Sequence, residues 1–219
     1  MKNKHKKIFA QTFRMALCLC ALALLNNCAS KQVMVSVKDQ RMIVMDGDKV
    51  ERMYPVSTSK FGLGDRPGSK CTPLGTLKVA KKIGRGMPAG AVFKSRRPTG
   101  EVLRPNAPGR DPVVTRILWL AGLEPHNCNA YNRYIYIHGT PEEWRIGSPA
   151  SFGCIRMRSD DVIDLYDRIG VGTRVTVVPD SLFTGDHLAR RQQKSMARKE
   201  RALVASNKVR KLDSAAVAR

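Results

Sequence analysis

His138 and Cys154 are the pair of residues in this chain whose types and spacing could carry out covalent chemistry. A cysteine acts as a nucleophile only as thiolate, so it needs a base close enough to take its proton. His138 stands at the end of the β-type run Tyr134-Ile135-Tyr136-Ile137, and Cys154 follows 16 positions later between Gly153 and Ile155. Glycine beside each group, Gly139 and Gly153, permits the close backbone approach that a covalent site requires. Ser151 and Arg156 flank the cysteine. Arg156 is suited either to hold a substrate carboxylate in a fork or to lock the loop through hydrogen bonds to main chain. Ser151 reads as a loop-ordering hydroxyl, and backbone N–H groups around Gly153 and Cys154 are the donors expected for a developing oxyanion.

The elements that must position these residues are mostly strands. Val33 to Ser57 alternates apolar and polar residues around two turn signals, Lys38-Asp39-Gln40 and Asp46-Gly47, which predicts a three-stranded meander. Thr76–Lys82, Pro112–Leu120, Tyr134–His138 and Thr173–Val178 add strand candidates. Short strands divided by glycine and proline predict a mainly β fold, a sandwich-like or barrel-like core with a few short helices. Ser159 is placed to cap a helix with Asp160 and Asp161 in its first turn, an apolar face of Val162, Ile163, Tyr166 and Ile169, and Gly170 at its end. The stretch from Ile83 to Asn129, rich in glycine, proline and arginine, reads as a long loop or lid over the site.

His138-Gly139-Thr140, then Gly147, then Ser151-Phe152-Gly153-Cys154-Ile155-Arg156-Met157 closely resembles the active-site signature of the YkuD-type L,D-transpeptidases. The resemblance spans about residues 33 to 179 and takes in Thr72-Pro73-Leu74-Gly75. It implies a sandwich-like β fold, no cofactor and no metal, Cys154 as nucleophile, His138 as base and the carbonyl of Gly139 orienting the imidazole. It further implies that peptidoglycan peptide stems are the partners: a tetrapeptide stem is held as a thioester and passed to an amine. Water as acceptor would make the same site an L,D-carboxypeptidase or hydrolase, and a closed site would leave a wall-binding lipoprotein without catalysis. Phe152 departs from the histidine or polar residue common at its position in relatives, leaving His138 as the sole obvious base.

At the amino end, Lys2, Lys4, Lys6 and Lys7 precede an apolar run from Met15 to Leu25 and then Asn26-Asn27-Cys28-Ala29-Ser30. This is the pattern of a secretory leader, too short to span a membrane. Leu25 three positions before Cys28 resembles a lipobox, which would make Cys28 a lipidated first residue anchoring the protein to a membrane, with cleavage near Ala29 or Ser30 as the alternative. The expected location is the periplasm, with outer-membrane anchoring if Cys28 is lipidated. Export leaves Cys71, Cys128 and Cys154; in an oxidising compartment Cys71 and Cys128 are expected to pair, leaving Cys154 free, with two simply buried thiols as the alternative.

The organisation expected is therefore a leader at 1–30, a catalytic domain at 31–180 and a basic tail at 181–219. Of the formal charge of +21 among 219 residues, these segments carry +5, +9 and +7, so more than half lies at the two ends. Basic clusters bind any polyanion, but aromatic residues are not interleaved with the basic ones here, and no nucleic-acid motif is present. His126, Cys128, His138 and Cys154 are potential zinc ligands, but His126-x-Cys128 is tighter than the usual paired spacing and no carboxylate-histidine motif accompanies it.

Overall fold

The computed structural model describes residues 31–182. The leader expected over residues 1–30, with the lipidation expected at Cys28, and nearly all of the basic tail, including Arg190 to Arg201, fall outside the described residues. Within them the chain is mainly β. The expected meander forms as β1 (Gln32–Ser36), β2 (Arg41–Asp46) and β3 (Lys49–Pro55), paired antiparallel. The turn residue Gln40 has φ 48°, and Gly47 has φ 57°, a left-handed conformation glycine adopts without strain. β4 (Gly75–Ile83), β5 (Ala91–Lys94), β6 (Arg97–Val102) and β7 (Val113–Gly122) follow, then β8 (Tyr136–Gly139), β9 (Ile155–Met157) and β10 (Arg174–Val178).

The strands form one hydrogen-bonded network in the order β3-β2-β1-β10-β4-β7-β5-β6, with β8 and β9 branching from β7. β1 and β10 run parallel, as do β8 and β9; the other pairs are antiparallel. β7 is the strand on which the others converge. Its Ile117–Gly122 stretch pairs with β4, its Val113–Val114 stretch with β5, and the opposite edge with β8. The change of partner along one edge occurs at Thr115 and Arg116, an insertion between Val114↔Gly139 and Ile117↔His138. Thr115 sits there at φ 71°, an uncommon conformation for a β-branched residue, and such a bulge bends a strand and re-aims its neighbours.

The period-2 alternation of β7 fills two layers. Leu118 and Leu120 join the main core with Val33, Val35, Leu77, Val79, Val175 and Val177, whereas Ile117 and Trp119 face a second cluster with Ala91, Phe93 and Tyr136. The main core is closed by the helix α1 (Ser159–Arg168), which buries Val162, Leu165 and Tyr166, with Ile169 just beyond its end. Each such side chain is worth about 1.5–3 kcal/mol on full burial. Arg168 binds Asp164 and Glu51, both at 2.8 Å, and Tyr54 donates to Asp164 at 2.7 Å, tying α1 to β3. Lys82 donates to the carbonyls of Tyr166 and Ile169 at 2.5 and 2.7 Å, placing a cation where the helix dipole favours one.

Three sequence expectations change. Ile83–Asn129 is not one loop: it contains the β5–β6 hairpin as well as β7, because Ala91, Val92 and Phe93 are buried against the second cluster although proline, glycine and arginine dilute the alternation around them. Ser159 does not cap α1 from outside. It is the first helical residue, its N–H donates to the Glu143 carboxylate at 2.8 Å, and its hydroxyl lies 2.8 Å from that of Thr115. Leu165 rather than Ile163 completes the buried face of the helix. Among the described residues no helix is long and apolar enough to cross a membrane.

Candidate active site

The parallel pairing of β8 with β9 brings the histidine and the cysteine to one face. Ile137 lies opposite Ile155 and His138 opposite Arg156. Ile137, Ile155 and Met157 point into the main core, so Tyr136, His138, Cys154 and Arg156 share the other face. His138 and Cys154 are therefore diagonal neighbours across two strands, a relation that brings long side chains within reach of one another. Cys154 sits one residue before β9 and packs against the cluster of Phe93, Ile117, Trp119 and Tyr136. Its Sγ lies 3.4 Å from the Tyr136 N–H and 3.4 Å from the Tyr134 carbonyl.

His138 is buried, with 5% of its surface exposed, and its Nδ1 lies 2.8 Å from the Gly139 carbonyl. A ring nitrogen meeting a carbonyl must carry the proton, which leaves Nε2 unprotonated and able to accept one. Gly139 cannot be larger. A Cβ there would meet the Val114 carbonyl at 2.8 Å and Thr115 at 3.0 Å, so the bulge of β7 presses on the residue whose carbonyl orients the imidazole.

Burial dominates the electrostatics of both groups. It lowers the pKa of His138 from 6.5 to about 4; the Gly139 carbonyl opposes the shift and the Arg156 charge adds to it. Burial likewise raises Cys154 from 9.0 to about 11, against the opposing effects of the Tyr136 N–H and the Arg156 and Arg133 charges. Burial thus favours a neutral thiol beside a neutral imidazole.

The loop before Cys154 is held from beneath. Ser151 Oγ accepts from Gly153 N–H at 3.2 Å and donates to the Cys154 carbonyl, which places Ser151 as the loop-ordering group rather than a substrate contact. Gly153 has φ 119°, and a Cβ there would meet the Cys71 carbonyl and the Ile135 side chain at 3.2 Å. Thr72 donates to the Gly153 carbonyl at 3.1 Å, and Ser57 and Ser59 bridge to Arg156 and Ser151. A buried ion pair between Arg133 and Asp65 at 2.7 Å, with Arg133 also on the carbonyls of Gly64 and Cys71, fixes this support to the segment that leads into Tyr134.

Arg156 takes the locking role. It pairs with Asp111 and, at 3.3 Å, with Glu142, and its side chain is only 7% exposed, so it has no free fork for a substrate carboxylate. The lock runs to carboxylates rather than to main chain. Asp111 and Glu142 escaped sequence reasoning: both lie in irregular segments with no periodicity to mark them. Gly153 N–H, expected as an oxyanion donor, is occupied by Ser151, leaving the Cys154 amide as the loop's other candidate donor.

Cys71 and Cys128, expected to pair, are separate thiols in the structure. Cys71 Sγ is turned to the carbonyls of Phe61 and Ser69, at 3.2 and 3.5 Å, and Cys128 is exposed at the end of a short 3₁₀ turn. His126 pairs with Glu124 at 3.1 Å rather than joining His138. Among the described residues no group of three or more His, Cys, Asp and Glu is arranged to hold a metal ion.

Residues 30–177 match the family described as YkuD, the L,D-transpeptidase catalytic domain. The chain belongs to this family. It is 30% identical over 149 residues to the Bacillus subtilis (strain 168) protein titled "Putative L,D-transpeptidase YqjB", a match covering 68% of this chain and 72% of that one. It is also 48% identical over 46 residues to "Probable L,D-transpeptidase ErfK/SrfK" of Escherichia coli K12, covering 21% of this chain and 15% of that one. A solved L,D-transpeptidase from Xylanimonas cellulosilytica is similar at 19% identity and a TM-score of 0.46, with 68% of this chain and 61% of that chain covered.

Beside Cys154 the domain opens a cavity of about 420 Å³, lined by Phe93, Val113 and Ile117, by Tyr134 and Tyr136, and by Ser95 and Arg96 of the β5–β6 turn. Tyr134, held at φ 58°, and Tyr136 are also the residues whose backbone contacts the thiol, so cavity and nucleophile share a wall.

Proposed function

We propose that this domain is a cysteine-dependent L,D-transpeptidase acting on peptidoglycan tetrapeptide stems. The observation that carries the reading is the β8/β9 register, which sets His138 and Cys154 on one face while the Gly139 carbonyl fixes the imidazole tautomer, in a chain of this family. Cys154 Sγ attacks the carbonyl carbon of the third residue as its proton passes to His138 Nε2. The S–C bond forms, a tetrahedral oxyanion develops towards the loop amide of Cys154, and the C–N bond to the terminal D-alanine breaks as His138 returns the proton to the departing amine. An acceptor amine then attacks the thioester, gives its proton to His138, and releases the thiol with a new amide bond formed.

Burial supports this order of events. With the imidazole at about 4 and the thiol at about 11, a charged pair costs more than a neutral one before substrate arrives, so proton transfer belongs to the attack itself. The leader expected over residues 1–30 would deliver the enzyme to the periplasm, where such stems lie, with Cys28 as the expected anchor. The reading is tested by incubating the purified protein with a disaccharide tetrapeptide and analysing the products. D-alanine release with an amide-linked product, abolished by Cys154→Ala, is expected. Equal product from wild type and Cys154→Ala would overturn it.

A further inference from the structure

The cavity next to Cys154 contains one cation and no anion. Of its lining residues Arg96 alone is charged, and no carboxylate among the described residues pairs with it. Its guanidinium lies over the rings of Trp119 and Tyr134, 5.0 and 4.8 Å from their centroids, and one N–H reaches the Tyr136 hydroxyl at 3.4 Å. Trp119 is itself fixed, stacked on Tyr131 at 4.2 Å and donating its indole N–H to the Tyr131 carbonyl at 3.0 Å. Ring contacts and one bond to a hydroxyl leave the guanidinium with further N–H donors, set in a fork shaped for carboxylate.

The backbone beneath Arg96 is specialised for this placement. Lys94 pairs with Arg97, and the two residues between them, Ser95 and Arg96, have φ 49° and 67°. A two-residue hairpin turn with both central residues at positive φ favours asparagine and glycine, and here carries serine and arginine instead. The rings of Trp119 and Tyr134 hold the side chain over the cavity.

We propose that Arg96 is the carboxylate-recognition residue of the donor site, binding a free carboxylate of the peptide stem while the apolar wall of Phe93, Val113 and Ile117 takes the adjoining carbon skeleton. The proposal rests on the reading of the domain as a stem-acylating enzyme. A volume of about 420 Å³ lies within the range of small-molecule sites and suits one or two peptide residues. Arg156 and Arg133, whose charges act on the thiol, are already paired, with Asp111 and Glu142 and with Asp65, so Arg96 is the one able to meet an incoming anion. Two carboxylates could fill the place: that of the terminal residue, and one borne by the side chain of the third residue.

The test compares three donors: the free-acid tetrapeptide, its terminal amide and its side-chain amide. Each is assayed with wild type, Arg96→Gln and Arg96→Lys, and thermal melting checks each fold. In wild type, amidating the recognised carboxylate is expected to lower kcat/KM about tenfold to a hundredfold, the range for a charge-assisted hydrogen bond. Arg96→Gln should lower the free-acid donor by the same factor, leave the donor already lacking that carboxylate unchanged, and be partly rescued by Arg96→Lys. Whichever amide escapes the effect of Arg96→Gln identifies the carboxylate. Equal losses on all three donors, or none, would overturn the proposal. Calorimetric binding of the free-acid stem to Cys154→Ala protein, with and without Arg96→Gln, separates it from the functional reading. Binding weakened at least tenfold supports recognition even if no turnover is found, and unchanged binding rejects it.

Discussion

Burial favours the uncharged forms of Cys154 and His138, and that preference has measurable consequences. With the thiol pushed up to about 11, alkylation of Cys154 by iodoacetamide, followed by peptide mass, should keep rising with pH beyond 9. A plateau at or below pH 7 would reveal a preformed thiolate–imidazolium pair. The buried imidazole makes a second prediction. Its folded pKa, about 4, lies below its ordinary 6.5, so the unfolded chain binds the extra proton first, and the histidine's contribution to stability falls as pH drops from about 6.5 towards 4. The loss reaches about 3 kcal/mol, and His138→Gln should remove it: urea midpoints at pH 7.5 and 4.5 should differ less in the variant than in wild type. An equal acid sensitivity would assign the effect to other groups. At this level the sequence was informative where chemistry is local. The types and spacing of His138, Cys154 and Gly139 were readable, whereas Asp111, Glu142 and Arg96 were not, since each acts through contacts made from distant loops.

β7 and its bulge do most of the positioning. The strand sends Leu118 and Leu120 to one core and Ile117 and Trp119 to the other, and its two-residue insertion at Thr115–Arg116 abuts Gly139. Gly139→Ala should force β7 and β8 apart by a few tenths of an ångström and draw the carbonyl away from His138 Nδ1. A stability loss of about 1–3 kcal/mol is expected, with a fall in kcat larger than any change in KM. Unchanged kcat would show that the carbonyl does not orient the base. The meander, β4, β7, β8 and β10 were visible in advance because their alternation or β-branched content is undiluted. β5, β6 and β9 were not. β6 is exposed along its whole length and carries proline and glycine, and β9 is three residues long, so both are specified by pairing rather than by pattern.

Over the whole described chain, from 31 to 182, the sheet and α1 form a scaffold whose one face carries both the reacting pair and an arginine-capped cavity. The mainly β class was legible from short strands divided by glycine and proline. The branching at β7 was not, because register and partner choice lie in contacts between segments far apart in the chain. The cysteines illustrate the same limit. Export and an odd thiol suggested that Cys71 and Cys128 pair, but the local carbonyls around Cys71 and the exposed position of Cys128 are facts of three-dimensional placement. The account as a whole stands on covalent catalysis by Cys154 with His138 as its base. Intact-mass spectrometry of the protein mixed with a tetrapeptide donor tests this most directly. Wild type is expected to gain the mass of the stem less D-alanine, labile to hydroxylamine; His138→Gln should acylate at least a hundredfold more slowly and Cys154→Ala not at all. An adduct of the same mass on Cys154→Ala, or undiminished acylation of His138→Gln, would contradict it.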